Sequence, residues 1–235
     1  MFNKFTTAGL SFPAQGSAGF NGTSDFIDIP SDSSISGITE DFTLSFWLYR
    51  NSGIAFISKG DSDTTEEFRV QIADGYVYFD VGNGSGPYKQ PSTTNATSEW
   101  IHYACTAKRT SGSTDIQIYK DGSNLGGSVL GATNSHNTNT HPIYIGKYLT
   151  NYTNGNLANV AIWNRALTSD EINSVMWKPV QALSATESNG LQAWYSLDDI
   201  ASPTASLATM EQLATDKNLT IENKAAITAA INSLS

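Results

Sequence analysis

Residues 42–49 read FTLSFWLY, with Phe42, Leu44, Phe46 and Leu48 at every second position and Thr43, Ser45, Trp47 and Tyr49 between them. Successive side chains of a strand point to opposite faces, so this alternation predicts a β-strand with one side buried. Shorter apolar runs follow at 54–58, 68–72, 76–81, 100–107, 116–119, 143–145 and 157–163. Turn formers separate them, among them Ala73-Asp74-Gly75, Lys120-Asp121-Gly122 and the glycine-containing stretch 82–86. Glycine supplies positive φ in such turns at no steric cost. Many short strands with no long helix between them predict an antiparallel sandwich and argue against a βαβ sheet.

One short helix is signposted late in the chain. Thr168 can cap the first free amides, Glu171 completes a capping box, and Leu167 can staple onto Ile172, so a helix is expected from Ser169 to Val175 or Met176. Residues 190–197 (GLQAWYSL) read as a last strand. After Pro203 aromatics vanish. Leu207, Met210 and Leu213 share one helical spacing, and Ile227, Ala230, Ile231 and Leu234 share another, with Thr220 as a cap. The expected division is therefore a sandwich over 1–202 and a helical tail over 203–235. That tail either folds back on its own sandwich or serves docking or oligomerisation on a neighbouring subunit.

Bulk composition narrows the function. The formal net charge is -9 over 235 residues, which opposes a phosphate backbone and makes nucleic acid an unexpected partner. The single cysteine, Cys105, excludes an intrachain disulfide and reads as a small buried apolar residue. The opening MFNKFTTAGLSF is not a continuous apolar stretch, and nowhere do about 18 uncharged apolar residues run together, so neither a secretory signal nor membrane insertion is expected. Asn-X-Ser/Thr triplets at Asn21, Asn83, Asn95, Asn151 and Asn218 read as chance in an Asn- and Thr-rich chain.

Seven segments in order resemble the laminin-G-like (LamG) domains of the concanavalin A-like lectin/glucanase superfamily. They are FNGTSDFIDIP from Phe20, ITEDFTLSFWLYRN from Ile38, FISKGD from Phe56, EWIHYACTAKR from Glu99, IQIYKDG from Ile116, PIYIGKY from Pro142 and NGNLANVAIWNRALTSDEI from Asn154. The resemblance implies an all-β, two-sheet antiparallel jelly-roll sandwich. Such domains include sugar binders, adhesion modules, virion proteins and hydrolases, so function has to be read from sites and not from the fold.

The hydrolase branch of that superfamily places carboxylates on one strand face at two-residue spacing. Here Glu66-Glu67 and Asp198-Asp199 are adjacent and would point to opposite faces, and Arg69, His102 and Tyr103 form no pattern of the lyase branch. The chain is therefore expected not to be an enzyme. His102, in a strand beside Trp100 and Ala104, reads as packing, and His136 and His141 flank a polar loop without fixed metal geometry. The resemblance admits a structural calcium held by hard oxygen ligands, with Asp25, Asp61, Asp63 and Asp121 as candidates. Ala158-Asn159, however, stands where related domains carry paired acids; no cofactor is otherwise required. A carbohydrate site needs an exposed ring with nearby amides, for which Tyr88, Tyr148 and Tyr152 with Asn83, Asn151 and Asn154 are the candidates.

A laminin-G-like chain without an export signal suggests release by lysis. The expectation is a non-catalytic virion surface or structural protein of a tailed bacteriophage: a capsid decoration, head fibre or tail-associated module. Its partners would be other virion proteins or copies of itself through the tail, with host polysaccharide as ligand. The alternative is a stand-alone carbohydrate-binding adhesin acting outside cells, with a polysaccharide-degrading enzyme as a distant third reading.

Overall fold

A computed structural model describes residues 16–31, 41–60, 66–73, 75–82, 88–91, 97–110, 112–131 and 139–197. The strands are β1 (Ala18–Asn21), β2 (Ile27–Ile29), β3 (Phe42–Ser52), β4 (Ala55–Lys59), β5 (Phe68–Ala73), β6 (Tyr76–Val81), β7 (Tyr88–Pro91), β8 (Trp100–Thr110), β9 (Ser113–Lys120) and β10 (Ser123–Gly131). They continue with β11 (Ile143–Ile145), β12 (Lys147–Tyr148), β13 (Asn151–Tyr152), β14 (Asn154–Trp163) and β15 (Leu191–Tyr195). Helix α1 (Ser169–Val175) and a 3₁₀ turn at Val180–Ala182 lie between β14 and β15.

The strands form the expected two-sheet antiparallel jelly roll. One sheet runs β1-β14-β3-β8-β9-β10, with β15 also on β14, and the other runs β2-β11-β4-β5-β6-β7. Alternation fills the space between them. Phe42, Leu44, Phe46 and Leu48 of β3 meet Phe68, Val70 and Ile72 of β5 and Val77, Phe79 and Val81 of β6 in one core. Cys105 lies in that core, and burial raises its thiol pKa far above the ordinary value, the inert behaviour expected of a buried thiol.

The reading of β3 as buried on one side only is corrected. Thr43, Ser45 and Trp47 are buried too, because residues 165–187 cover the outer face of this sheet. Thr43 Oγ donates to the carbonyl of Arg165 (2.7 Å) and accepts from the amide of Leu167 (2.9 Å), and Trp47 Nε1 donates to the carbonyl of Met176 (3.0 Å). Helix α1 starts where its capping box predicts, with Thr168 and Glu171 bonded reciprocally. Its Ile172 and Val175, with Leu167 just ahead of the cap, are buried against Ala161, Trp163 and Trp194.

Strand β14 organises the first sheet. Its first half pairs β1 and its second half β15, with a register shift between Ala158 and Ala161 along β3. Asn159 sits at this bulge with φ +49°, donating its amide to the carbonyl of Ser196 (3.1 Å). The bulge re-aims the strand from one partner to the other. The helical tail expected over 203–235 lies outside the described residues.

Candidate functional site

The outer face of the six-stranded sheet is covered differently. A two-residue hairpin, β12 and β13 joined by Leu149 and Thr150, crosses it. Local chemistry seats that hairpin. Gly146 donates its amide to the carbonyl of Phe56 (2.9 Å), Thr153 donates to the carbonyl of Gly146 (2.8 Å), and Thr153 Oγ accepts from the amide of Phe56 (3.0 Å). Ser58 Oγ donates to the carbonyl of Lys147 (3.0 Å). Gly146 has φ +92°, and a Cβ there would come within 2.4 Å of the Phe20 ring, so only glycine fits the turn into the hairpin.

Beside the hairpin, the turn from β1 to β2 is wound around Asn21. Its Oδ1 accepts from the amides of Thr23 (2.8 Å), Ser24 (2.9 Å) and Asp25 (3.2 Å), while its Nδ2 donates to Asp25 Oδ1 (2.9 Å). This local network competes with regular structure and sets the turn. It delivers Phe26 to the hairpin. The Phe26 ring lies 6.1 Å from that of Tyr144 and 6.2 Å from that of Tyr152. Tyr144 comes from the outward position of β11, directly opposite Asp28 of β2.

The result is a platform of three half-buried rings with charge at its centre. Lys147 Nζ stands 4.2 Å from the Phe26 centroid, 5.1 Å from Tyr144 and 6.0 Å from Tyr152, within cation–π range of each. Crowding against the platform raises the Asp28 carboxyl above its ordinary pKa, and the Lys147 ammonium opposes that shift. Asn151 is exposed on the hairpin, and Leu149 at its tip is exposed with φ +52°, a conformation uncommon for a residue with a side chain. Rings that offer apolar faces, next to an amide, an ammonium and a carboxylate, can stack on a pyranose ring and hydrogen-bond its hydroxyls.

Of the residues singled out from sequence, Tyr152 and Asn151 belong to this platform. Tyr148 does not: it is buried, packed on Phe56, with the Arg69 guanidinium 4.4 Å above its ring. The reading of Tyr148 as an open loop aromatic is corrected, because the hairpin turns it down onto the sheet. Asn154 faces the end of β3, bonded to Asn51 (3.2 Å) and Ser52 (2.9 Å). Tyr88 begins β7, and its side chain, like Asn83, lies outside the described residues.

Among the calcium candidates, Asp61 and Asp63 also lie outside the described residues. Asp25 is buried in the Asn21 turn, and Asp121 lies in the β9–β10 turn, where its Oδ1 accepts from the amide of His102 (3.0 Å). The two are in separate turns, and among the described residues no group of three or more His, Cys, Asp or Glu is placed to hold a metal ion. No described helix is long and apolar enough to cross a membrane.

Phe26, Asp28, Tyr144 and Lys147 were not anticipated from the sequence, nor was the pair of exposed Tyr76 and half-buried Tyr78, whose rings are 6.1 Å apart on the same sheet face. A signal for several of them exists. In IDI, IYI and YVY the outward positions alternate with buried aliphatics, and aromatics at outward positions mark a surface able to take a ligand.

The Laminin_G_3 model, described as the Concanavalin A-like lectin/glucanases superfamily, matches residues 21–173. Among solved structures the chain is similar to a supposed carbohydrate-binding protein from Bacteroides ovatus, at 19% identity and a TM-score of 0.59, covering 80% of this chain and 53% of that one. It is also similar to a heptameric SAP-like pentraxin from Limulus polyphemus, at 17% identity and a TM-score of 0.51, covering 68% of this chain and 81% of that one. The chain thus spans about half the length of the Bacteroides protein. At these identities the likeness carries the fold. No curated protein sequence matches.

Proposed function

The chain belongs to the Concanavalin A-like lectin/glucanases superfamily, and from that premise we propose that it is a carbohydrate-binding module without catalytic activity of its own. The observation that carries this reading is the convergence of Phe26, Tyr144 and Tyr152 around Lys147 on an outer sheet face. Ring faces and an adjacent carboxylate and amide are the two halves of saccharide recognition, and the rings sit on strands or on a turn tied by hydrogen bonds. The ligand class attached to the Bacteroides ovatus protein agrees with it.

Two commitments of acidic residues favour binding over hydrolysis. Glu67 pairs with Lys59 at 3.1 Å, and Glu66 with Arg69 at 3.3 Å, so each is tied to a buried cation and held away from a role as general acid. The virion-surface reading draws on the sequence pattern of the opening residues and on a tail, both outside the described residues, whereas the carbohydrate reading draws on a described surface. It is therefore the one preferred, and no cofactor is assigned to it.

A glycan array probed with the full chain, followed by calorimetric titration of the best hit, tests the proposal. Tyr144→Ala and Tyr152→Ala should each weaken binding about tenfold or more, equivalent to about 1.4 kcal/mol, with melting shifted by no more than about 2 °C. An empty array, or binding indifferent to both substitutions, removes the platform reading. Release of reducing ends from the bound glycan would overturn the non-catalytic part alone.

A further inference from the structure

Lys59 ends β4 on its inward face, opposite Phe68 and Ile143 in the ladder. Its side chain is 0% exposed. Nζ lies 3.1 Å from Glu67 Oε2. It donates towards the carbonyl oxygens of Asn139 (3.0 Å) and His141 (3.0 Å), Asn139 Oδ1 (3.1 Å) and Ser31 Oγ (3.4 Å). An ammonium has three protons, yet five oxygens of described residues lie around this one. The arrangement is a coordination shell about a charge more than a set of directed bonds.

The oxygens come from three segments apart from β4: Ser31, two residues past β2, Glu67, immediately before β5, and the approach to β11. Two carbonyls, an amide oxygen and a carboxylate pointed at one buried spot repel one another unless a positive charge stands between them. We infer that this end of the sandwich is a binding site for a monovalent cation of ammonium or potassium size, filled in the native chain by its own Lys59 ammonium. Charge and size both select that class. Among the described residues the shell contains a single carboxylate, and its spacings of 3.0–3.4 Å exceed the 2.3–2.6 Å typical between calcium and oxygen. The tethered cation fastens the ends of β2 and β11, so this edge of the fold does not depend on an ion from solution.

The test uses full-length Lys59→Gly and Lys59→Met, with melting followed in potassium or ammonium chloride and in tetramethylammonium chloride at equal ionic strength. Wild type should melt alike in all three. In tetramethylammonium, Lys59→Gly should melt about 10 °C lower, and potassium, ammonium or added ethylammonium should restore at least half of the loss with a saturable concentration dependence. Lys59→Met, whose apolar stem fills the space without a charge, should stay destabilised and ignore the cation. A Lys59→Gly protein that melts identically in every salt, or that fails to fold in all of them with ethylammonium present, overturns the proposal. An equal response of Lys59→Met also overturns it, since the ion would then be acting elsewhere.

Discussion

On the outer face of the seven-stranded sheet, Trp47, Trp163 and Trp194 are buried beneath residues 165–187; on the outer face of the six-stranded sheet, Phe26, Tyr144 and Tyr152 stay half-exposed beside a hairpin of six residues. Both sets of rings occupy outward positions of strands or the turn next to one. What separates them is the cover. A capped helix with its flanking turns is wide enough to remove whole indoles from water and to supply partners for the N–H groups of Trp47 and Trp163. Trp163 Nε1 donates to the carbonyl of Glu187 (2.9 Å), and Lys178, Ser174 and the Ser184 amide in turn hold the Glu187 carboxyl down to about 2. A narrow hairpin buries Tyr148 and, beneath it, Phe56, and leaves Tyr144 and Tyr152 half open. Covered aromatics contribute stability through buried area and packing, and open ones leave that contribution for a ligand.

The sharpest way to break this contrast is to empty the covered face. Trp163→Ala should cost about 3–5 kcal/mol in urea unfolding; a loss below about 1 kcal/mol would mean that residues 165–187 are not the cover described. Next in size is His102, buried under the same cover against Trp47, with Nε2 2.8 Å from Ser45 Oγ and no hydrogen-bond partner for Nδ1. Burial lowers its pKa from 6.5 to about 3. Below 6.5 the unfolded chain takes a proton that the native chain excludes, so stability falls as pH drops from 6.5 towards 3. The loss at pH 4 should be about 3 kcal/mol, read from unfolding midpoints across pH. Lys, Asp and Glu aside, His102→Gln should flatten that part of the curve, and an unchanged slope would place the titration elsewhere.

A smaller effect tests the helix that forms the cover. Thr168→Ala removes one side of the capping box and should cost about 1 kcal/mol, with Glu171→Gln, which keeps a hydrogen-bonding group, costing less. Smallest on stability is the open face. Tyr152→Ala should change unfolding by about 0.5 kcal/mol even where it abolishes glycan binding. A large loss of stability there would class the platform with the covered tryptophans.

Local rules made much of the fold legible. The alternation in 42–49, the two-residue turn at Asp121-Gly122 with φ of +48° and +75°, and the Thr168 capping box are all short-range features, and each is where the residues indicated. The site was legible only in part. Tyr152 and Asn151 could be picked as loop residues, but Tyr148, three and four positions away, was assigned the same role and is buried against Phe56. Two-residue periodicity distinguishes faces of a strand; it does not say which face a hairpin or helix will later cover.

By itself, the amino-acid sequence determined the sheet-forming pattern, the turns and the helix start, because these depend on neighbours within about four residues and on the chemistry of single side chains. Tertiary structure alone decided which rings are core and which are surface, that Lys59 should meet five oxygens, and that Phe26, Tyr144 and Tyr152 should share one patch. Those outcomes rest on contacts between segments as far apart as Phe26 and Tyr152, and the free energy of such contacts depends on shape and solvent exclusion, which no local pattern encodes.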